Sequence, residues 1–169
     1  MNIFQRFSEF FSKDNYPKHL LINNRKKLPT TAFEDDDKLF RSFDKEDLDE
    51  DNNFKLESVR FPDFSCNWSR FSFPKDILFL ENAKPTDGCY SFIVSTSRYK
   101  KMATPAHDPR EHNKYPNYSH VEVRELLDNE DIHFEPPKGR KPKTKAAKSK
   151  RLVYRQNLLN SLYIEFEAR

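Results

Sequence analysis

The sequence predicts an α+β fold, with a small twisted sheet, antiparallel or mixed, and helices at both ends. Two patterns carry that expectation. Apolar residues recur at helical spacing near both termini, whereas the middle of the chain alternates apolar and polar residues with the two-residue period of half-buried strands. Helices gathered at the ends around a run of strands argue for a segregated α+β arrangement. The length agrees, since 169 residues fit one domain and can bury roughly two-thirds of the unfolded surface. Its core draws on 16 Phe, 7 Tyr and 1 Trp, 14% of the chain.

The elements follow in order. Ile3, Phe4, Phe7, Phe10 and Phe11 line one side of an amphipathic helix over Met1–Lys13. It ends before Pro17, because the residue preceding a proline disfavours the α region. Lys18–Phe33 has no period. Leu39–Phe43 is a short strand with Leu39, Arg41 and Phe43 on one face. Asp44–Asn53 is too acidic for a core element and reads as a loop or capped turn. Phe64–Ser69 sets Phe64, Cys66 and Trp68 against Ser65, Asn67 and Ser69. Pro74–Ala83 suits a short helix with Pro74 in its first turn and Asp76 near its positive end. The turn Thr86-Asp87-Gly88 leads into Cys89–Ser97, the best strand of the chain. Met102–Pro116, broken by Pro105, Pro109 and Pro116, is expected as a loop. Tyr118–Arg124 is a second good strand, with Val121 and Val123 to one side and His120, Glu122 and Arg124 to the other. Ser149–Asn160 reads as a helix, and Leu162, Ile164 and Phe166 mark a last strand. On this division 1–135 form an α+β core, 136–148 a flexible basic segment, and 149–169 a helix and strand that pack back on the core.

Composition excludes several function classes. The chain has only two glycines, Gly88 and Gly139. Gly-rich phosphate loops need glycines a few residues apart so that backbone N–H groups can approach phosphate. A Walker A loop, a dinucleotide fingerprint and a nucleophile elbow are therefore all ruled out. No stretch approaches the ~20 apolar residues of a membrane span, and Arg6 and Glu9 interrupt any signal-like run at the start. Cys66 and Cys89 form no C-x-x-C pair and read as buried free thiols. The expected location is cytoplasmic.

Charge is unevenly placed. Lys138–Arg151 holds eight basic residues and no acid: Lys138, Arg140, Lys141, Lys143, Lys145, Lys148, Lys150 and Arg151. Removing those eight charges from the net +3 leaves −5. Such a strip suits phosphate contact through counterion release, and points to nucleic acid or an acidic protein surface as partner. No aromatic interrupts it, so base stacking within the strip is not indicated. The run Glu34–Asp51 carries a net −7 and could fold back on the strip. The Phe stripe of the N-terminal helix would pack on the core or dock into a protein partner's groove.

Two further constellations could carry chemistry. His120 and Glu122 share a strand face, and a loop returning His107 or His112, with Asp108 nearby, would complete a two-histidine, one-carboxylate set. Such a set can hold a divalent metal or serve as an acid–base pair. The second runs in chain order: Arg41 on a Leu-Phe-Arg strand, Ser95-Thr96-Ser97 closing the Phe92-Ile93-Val94 strand, and Glu122 on a later strand. This resembles the Arg…Ser-Thr-Ser…Glu pattern of the ADP-ribosyltransferase family. The resemblance implies NAD as cofactor, Arg41 on its phosphates, Ser95 at the nicotinamide site and Glu122 beside an oxocarbenium-like ribose. The family's Glu-x-Glu is replaced here by Glu122-Val123-Arg124-Glu125. The stretch from His107-Asp108-Pro109 to Asn117-Tyr118-Ser119-His120-Val121-Glu122 also resembles a segment of small bacterial proteins, which implies a bacterial origin and no particular activity.

The leading expectation is a small bacterial accessory protein that uses the basic strip on nucleic acid or an acidic partner. The alternatives are an ADP-ribosyltransferase-like toxin or defence effector, and a metal-dependent hydrolase or nuclease on His107, His112, His120 and Glu122. The sequence leaves open whether the chain is an enzyme.

Overall fold

In a computed structural model, residues 16–80, 86–112, 115–141 and 144–167 are described. They form an α+β domain around one six-stranded sheet in which every neighbouring pair runs antiparallel. The strands are β1 (Lys38–Phe43), β2 (Asp63–Trp68), β3 (Gly88–Ile93), β4 (Ala103–His107), β5 (His120–Glu125) and β6 (Tyr163–Glu167). Their order across the sheet is β4-β5-β2-β1-β3-β6. Among the described residues two α-helices accompany them, the single turn α1 (Val94–Ser97) and α2 (Lys145–Leu159). The expected Phe-bearing helix over Met1–Lys13 lies outside the described residues. No helix among those described is long and apolar enough to cross a membrane.

The sheet's alternation sorts its side chains. Leu39, Phe64, Trp68, Tyr90, Phe92, Val121 and Val123 are buried together on one face, with Tyr154 and Leu158 of α2 packed among them. Phe33 stacks on Trp68 with ring centroids 3.9 Å apart, and Phe61 meets Tyr154 at 4.6 Å. On the opposite face a smaller cluster of Phe40, Ile77 and Cys89 lies beneath the 3₁₀ turn Pro74–Phe79. Cys66 and Cys89 are free and buried, as the sequence implied, and burial pushes both thiols up to about 12.

Several elements differ from expectation for identifiable reasons. The strand expected to run to Ser97 stops at Ile93. There the Ser97 hydroxyl donates back to the Val94 carbonyl (2.7 Å) and the Arg98 N–H bonds the same oxygen (3.0 Å), closing a helical turn. The loop expected over Met102–Pro116 contains β4. Pro105 is tolerated in it because β4 is an edge strand that pairs only with β5. Helix α2 begins at Lys145, inside the segment expected to be flexible, because Thr144 caps it by accepting from the Ala147 N–H (3.1 Å). At the start of the acidic run, Glu34 pairs with Arg70 (2.9 Å) and Asp35 with Arg98 (2.7 Å), both outside the basic strip.

Candidate functional site

The site grows from a flaw in the middle of the sheet. β1 and β2 are in register over only two pairs, Leu39 with Trp68 and Phe40 with Asn67. Beyond them Arg41 enters the opening. Its Nη1 donates to the Ser65 carbonyl (2.7 Å), and its guanidinium lies over the Phe64 ring, 4.3 Å from the centroid. The opening gives onto a cleft of about 180 Å³ lined by Arg41, Ser65, Asn67, Arg110, Asn117 and His120, to which Ser42, Cys66, Leu80 and Tyr115 also contribute. No carboxylate is among the described residues that line it.

The β2–β5 ladder sets the polar side of this arrangement. His120 stands opposite Asn67, Glu122 opposite Ser65, and Arg124 opposite Asp63. The loop after β4 returns over that face, held by a two-way backbone bridge between Arg110 and Asn117 (3.0 and 2.9 Å). The return brings Asn117 Nδ2 to donate to Asn67 Oδ1 (2.7 Å), and the Ser119 hydroxyl to donate to Asn117 Oδ1 (2.7 Å). It also brings Arg110 within 3.6 Å of Glu122, with nearly half of the guanidinium side chain still exposed.

His120 is the chemically distinctive member. It is only 4% exposed. Its Nδ1 lies 2.8 Å from the Asp108 backbone carbonyl, which can only accept, so Nδ1 carries the proton. Burial, reinforced by the Arg110 charge, lowers its pKa to about 4. The ring is therefore neutral at physiological pH, with a lone pair on Nε2. That atom is buried and has no hydrogen-bond partner among the described residues. An unmet buried acceptor costs about 1–3 kcal/mol.

Beside the cleft lies a dense ionic layer. Glu122 accepts from Arg124 Nε and Nη2 (3.2 and 3.0 Å) and lies 3.3 Å from Lys138 Nζ. Asp108 receives Lys138 at 2.7 Å and Arg124 at 3.5 Å. Burial alone would raise the Asp108 pKa, but Lys138, His120 and Arg124 hold its carboxyl below the usual carboxylate range. Asp108, His120 and Glu122 offer potential metal-ligand atoms within 4.8 Å of one another. Both carboxylates there are already answered by Arg124, Lys138 and Arg110, so a divalent ion would have to displace three cations.

The other residues singled out in the sequence disperse. His107 is buried, with Nδ1 accepting from the Leu28 N–H (3.0 Å) and Nε2 donating to the Tyr118 carbonyl (2.6 Å). Neither ring nitrogen is left for a metal. His112 accepts from the Tyr115 N–H (3.2 Å), stacks on that ring, and is not part of the Asp108–His120–Glu122 group. Ser95 is an exposed residue of α1 whose N–H bonds the Asp35 carbonyl (2.9 Å), and it does not line the cleft. Of the transferase-like set, Arg41 reaches the cleft and Glu122 lies in the adjoining ionic layer.

About half of the basic strip is paired with acids of the domain, although only Arg151 of its described residues is buried. Lys138 binds Asp108 and Glu122, Arg140 binds Glu130 (2.6 Å), Lys150 binds Asp128 (2.6 Å), and Arg151 forms a fork with Glu125 (2.9 Å for one limb). Lys141, Lys145 and Lys148 are exposed, and Lys143 lies outside the described residues. Sequence reasoning missed Arg110, Asn67 and Asn117 as cleft residues. Asn67 was visible only as a polar phase of β2, and nothing local marks the bridge that carries Arg110 and Asn117 back. Comparisons of the chain with protein-family models, with curated proteins and with solved structures found no match.

Proposed function

We propose that this chain binds a phosphate-bearing small molecule in the cleft between β1 and β2 and acts on it with His120 as proton acceptor. The observation that carries the reading is the neutral, buried His120, its Nε2 without a partner among the described residues, in a cleft whose described lining also holds Arg41 and Arg110 and no carboxylate. Guanidinium groups suit planar, multidentate recognition of phosphate, and a fixed neutral imidazole suits general-base work. The NAD that the transferase resemblance implies falls in this ligand class, with Arg41 on its phosphates. Ser95 and Glu122 lie outside the cleft lining and take no part in it.

The test is thermal protection by inorganic phosphate and pyrophosphate, since a ligand that binds only the folded state raises the melting temperature. Arg110→Met, at a half-exposed position, should keep the fold and abolish the protection. No protection of the unsubstituted chain by either anion would end the proposal. A second reading, contact with nucleic acid, rests on the exposed Lys141, Lys145 and Lys148 near the start of α2. It predicts an affinity that falls with salt.

A further inference from the structure

We infer that the ligand of this cleft carries a hydroxyl donor in addition to its phosphate, which places it in the class of sugar phosphates. The inference rests on the proposed phosphate site and deepens it.

The donor and acceptor pattern of the cleft leads there. Arg41 and Arg110 can only donate. Arg41 uses Nη1 on the Ser65 carbonyl, and the remainder of its fork faces no carboxylate within ion-pair distance among the described residues. Arg110 reaches its nearest partners only at 3.4 Å (the Ser65 hydroxyl) and 3.6 Å (Glu122). These two groups call for an anion. His120 calls for the opposite. With Nδ1–H directed at the Asp108 carbonyl (2.8 Å), Nε2 can only accept. A fully ionised oxyanion brings lone pairs to that atom and would be repelled. A hydroxyl in addition to the phosphate brings the missing proton donor. The remaining cleft groups, Asn67, Asn117, Ser42 and Ser65, are amides and hydroxyls that can pair with further hydroxyls of a sugar. The mixture of two cations, one obligate acceptor and several bifunctional groups suits a polyhydroxylated phosphate monoester better than a bare anion, and does not match an apolar ligand.

The specificity follows from asymmetry. A site built to pair with a ligand hydroxyl rejects the analogue lacking it, because its own polar atom is then left buried and unpaired. Nε2 has no such partner among the described residues.

The experiment compares ribose 5-phosphate with methyl phosphate on the full chain by calorimetric titration at pH 7.5. Methyl phosphate keeps the charge and has no hydroxyl. Ribose 5-phosphate should bind at least about tenfold more tightly, a factor worth about 1.4 kcal/mol. In His120→Phe, which keeps a ring and removes the acceptor, that advantage should vanish. Equal binding of the two ligands by the unsubstituted chain overturns this inference and leaves the phosphate site standing. An advantage that persists in His120→Phe overturns it as well. If neither ligand binds, the phosphate site itself falls. The comparison on the unsubstituted chain decides the matter even if His120→Phe does not fold.

Discussion

Replacing Glu122 with leucine should unfold the chain more readily by about 3 kcal/mol. Glu122 and Arg124 are 6% and 4% exposed and joined by two hydrogen bonds of 3.2 and 3.0 Å. Removing one partner of a buried pair costs about 3–5 kcal/mol, because the other charge is left uncompensated in a poorly solvated site. Arg124 would keep the Pro136 carbonyl at 3.1 Å, Glu135 at 3.4 Å and Asp108 at 3.5 Å, which sets the loss at the low end of that range. Three kcal/mol is a large part of the roughly 5–15 kcal/mol that keeps a domain folded. At this size it corresponds to a melting temperature lower by about 6–12 °C. Urea titration should show a lower midpoint at unchanged slope. The double variant Glu122→Leu/Arg124→Leu should lose clearly less than the sum of the two single losses, since it removes the orphaned charge together with its partner. A loss under about 1 kcal/mol for Glu122→Leu, or strict additivity in the double variant, would refute the view that this layer is a tightly coupled unit.

Further outcomes follow from the same geometry. His120 titrates near 4 in the folded chain against 6.5 in a free histidine, so the unfolded chain takes up the proton first as pH falls. Stability should therefore be flat above pH 6.5 and decline between 6.5 and about 4, by up to about 3 kcal/mol from this residue. His107, also lowered by burial, adds to the decline in that direction. His120→Phe should flatten the slope in denaturation curves taken across that range, and an unchanged slope would count against the neutral ring. Gly88→Ala should cost about 1–3 kcal/mol as overpacking, because a Cβ there would meet the Phe43 ring at 2.5 Å and the Phe166 carbonyl at 2.6 Å. A melting temperature unaltered by that change would contradict the close approach of β1, β3 and β6. If the chain binds DNA, the logarithm of affinity against that of salt should have a slope no steeper than about −4, whereas eight free cations would give about −7. A filter-binding series in salt distinguishes the two.

Much of the sheet is legible in the sequence, because β2 and β5 carry a two-residue period and β3 follows a turn signal with a run of β-formers. Cores of β1, β2, β3 and β5 all fall within the strands expected, and the division of β5 into Val121 and Val123 against His120, Glu122 and Arg124 is the division between core face and site face. What escaped was written in the interactions of residues far apart. β4 hides behind Pro105, which is disallowed in most strands and harmless at an edge. Arg41 sits in the phase of Leu39 and Phe43, so the pattern alone does not reveal that β1 and β2 part beside it and let its guanidinium into the cleft. Arg110 and Asn117 lie in a segment that reads as loop, and only their mutual backbone bridge turns it over the polar face.

The basic strip shows why a count of charges differs from a map of them. Eight cations without an acid look like an open surface for phosphate. Here Lys138, Arg140, Lys150 and Arg151 meet acids from the loop after β4, from β5 and from the turn that follows it, at separations of 10 to 30 residues in sequence. Deleting Lys138–Arg151 is therefore a poor test of nucleic-acid contact. It would take Lys138 from Asp108 and Glu122, Arg140 from Glu130, Arg151 from Glu125 and the first turns from α2, and so disturb the ionic layer together with the surface. Neutralising Lys141, Lys145 and Lys148 to glutamine avoids this, because exposed substitutions typically move stability by no more than about 0.5 kcal/mol each. With the ionic layer intact, a loss of binding to nucleic acid in that variant belongs to the surface alone, and a loss of binding to sugar phosphates would not be expected.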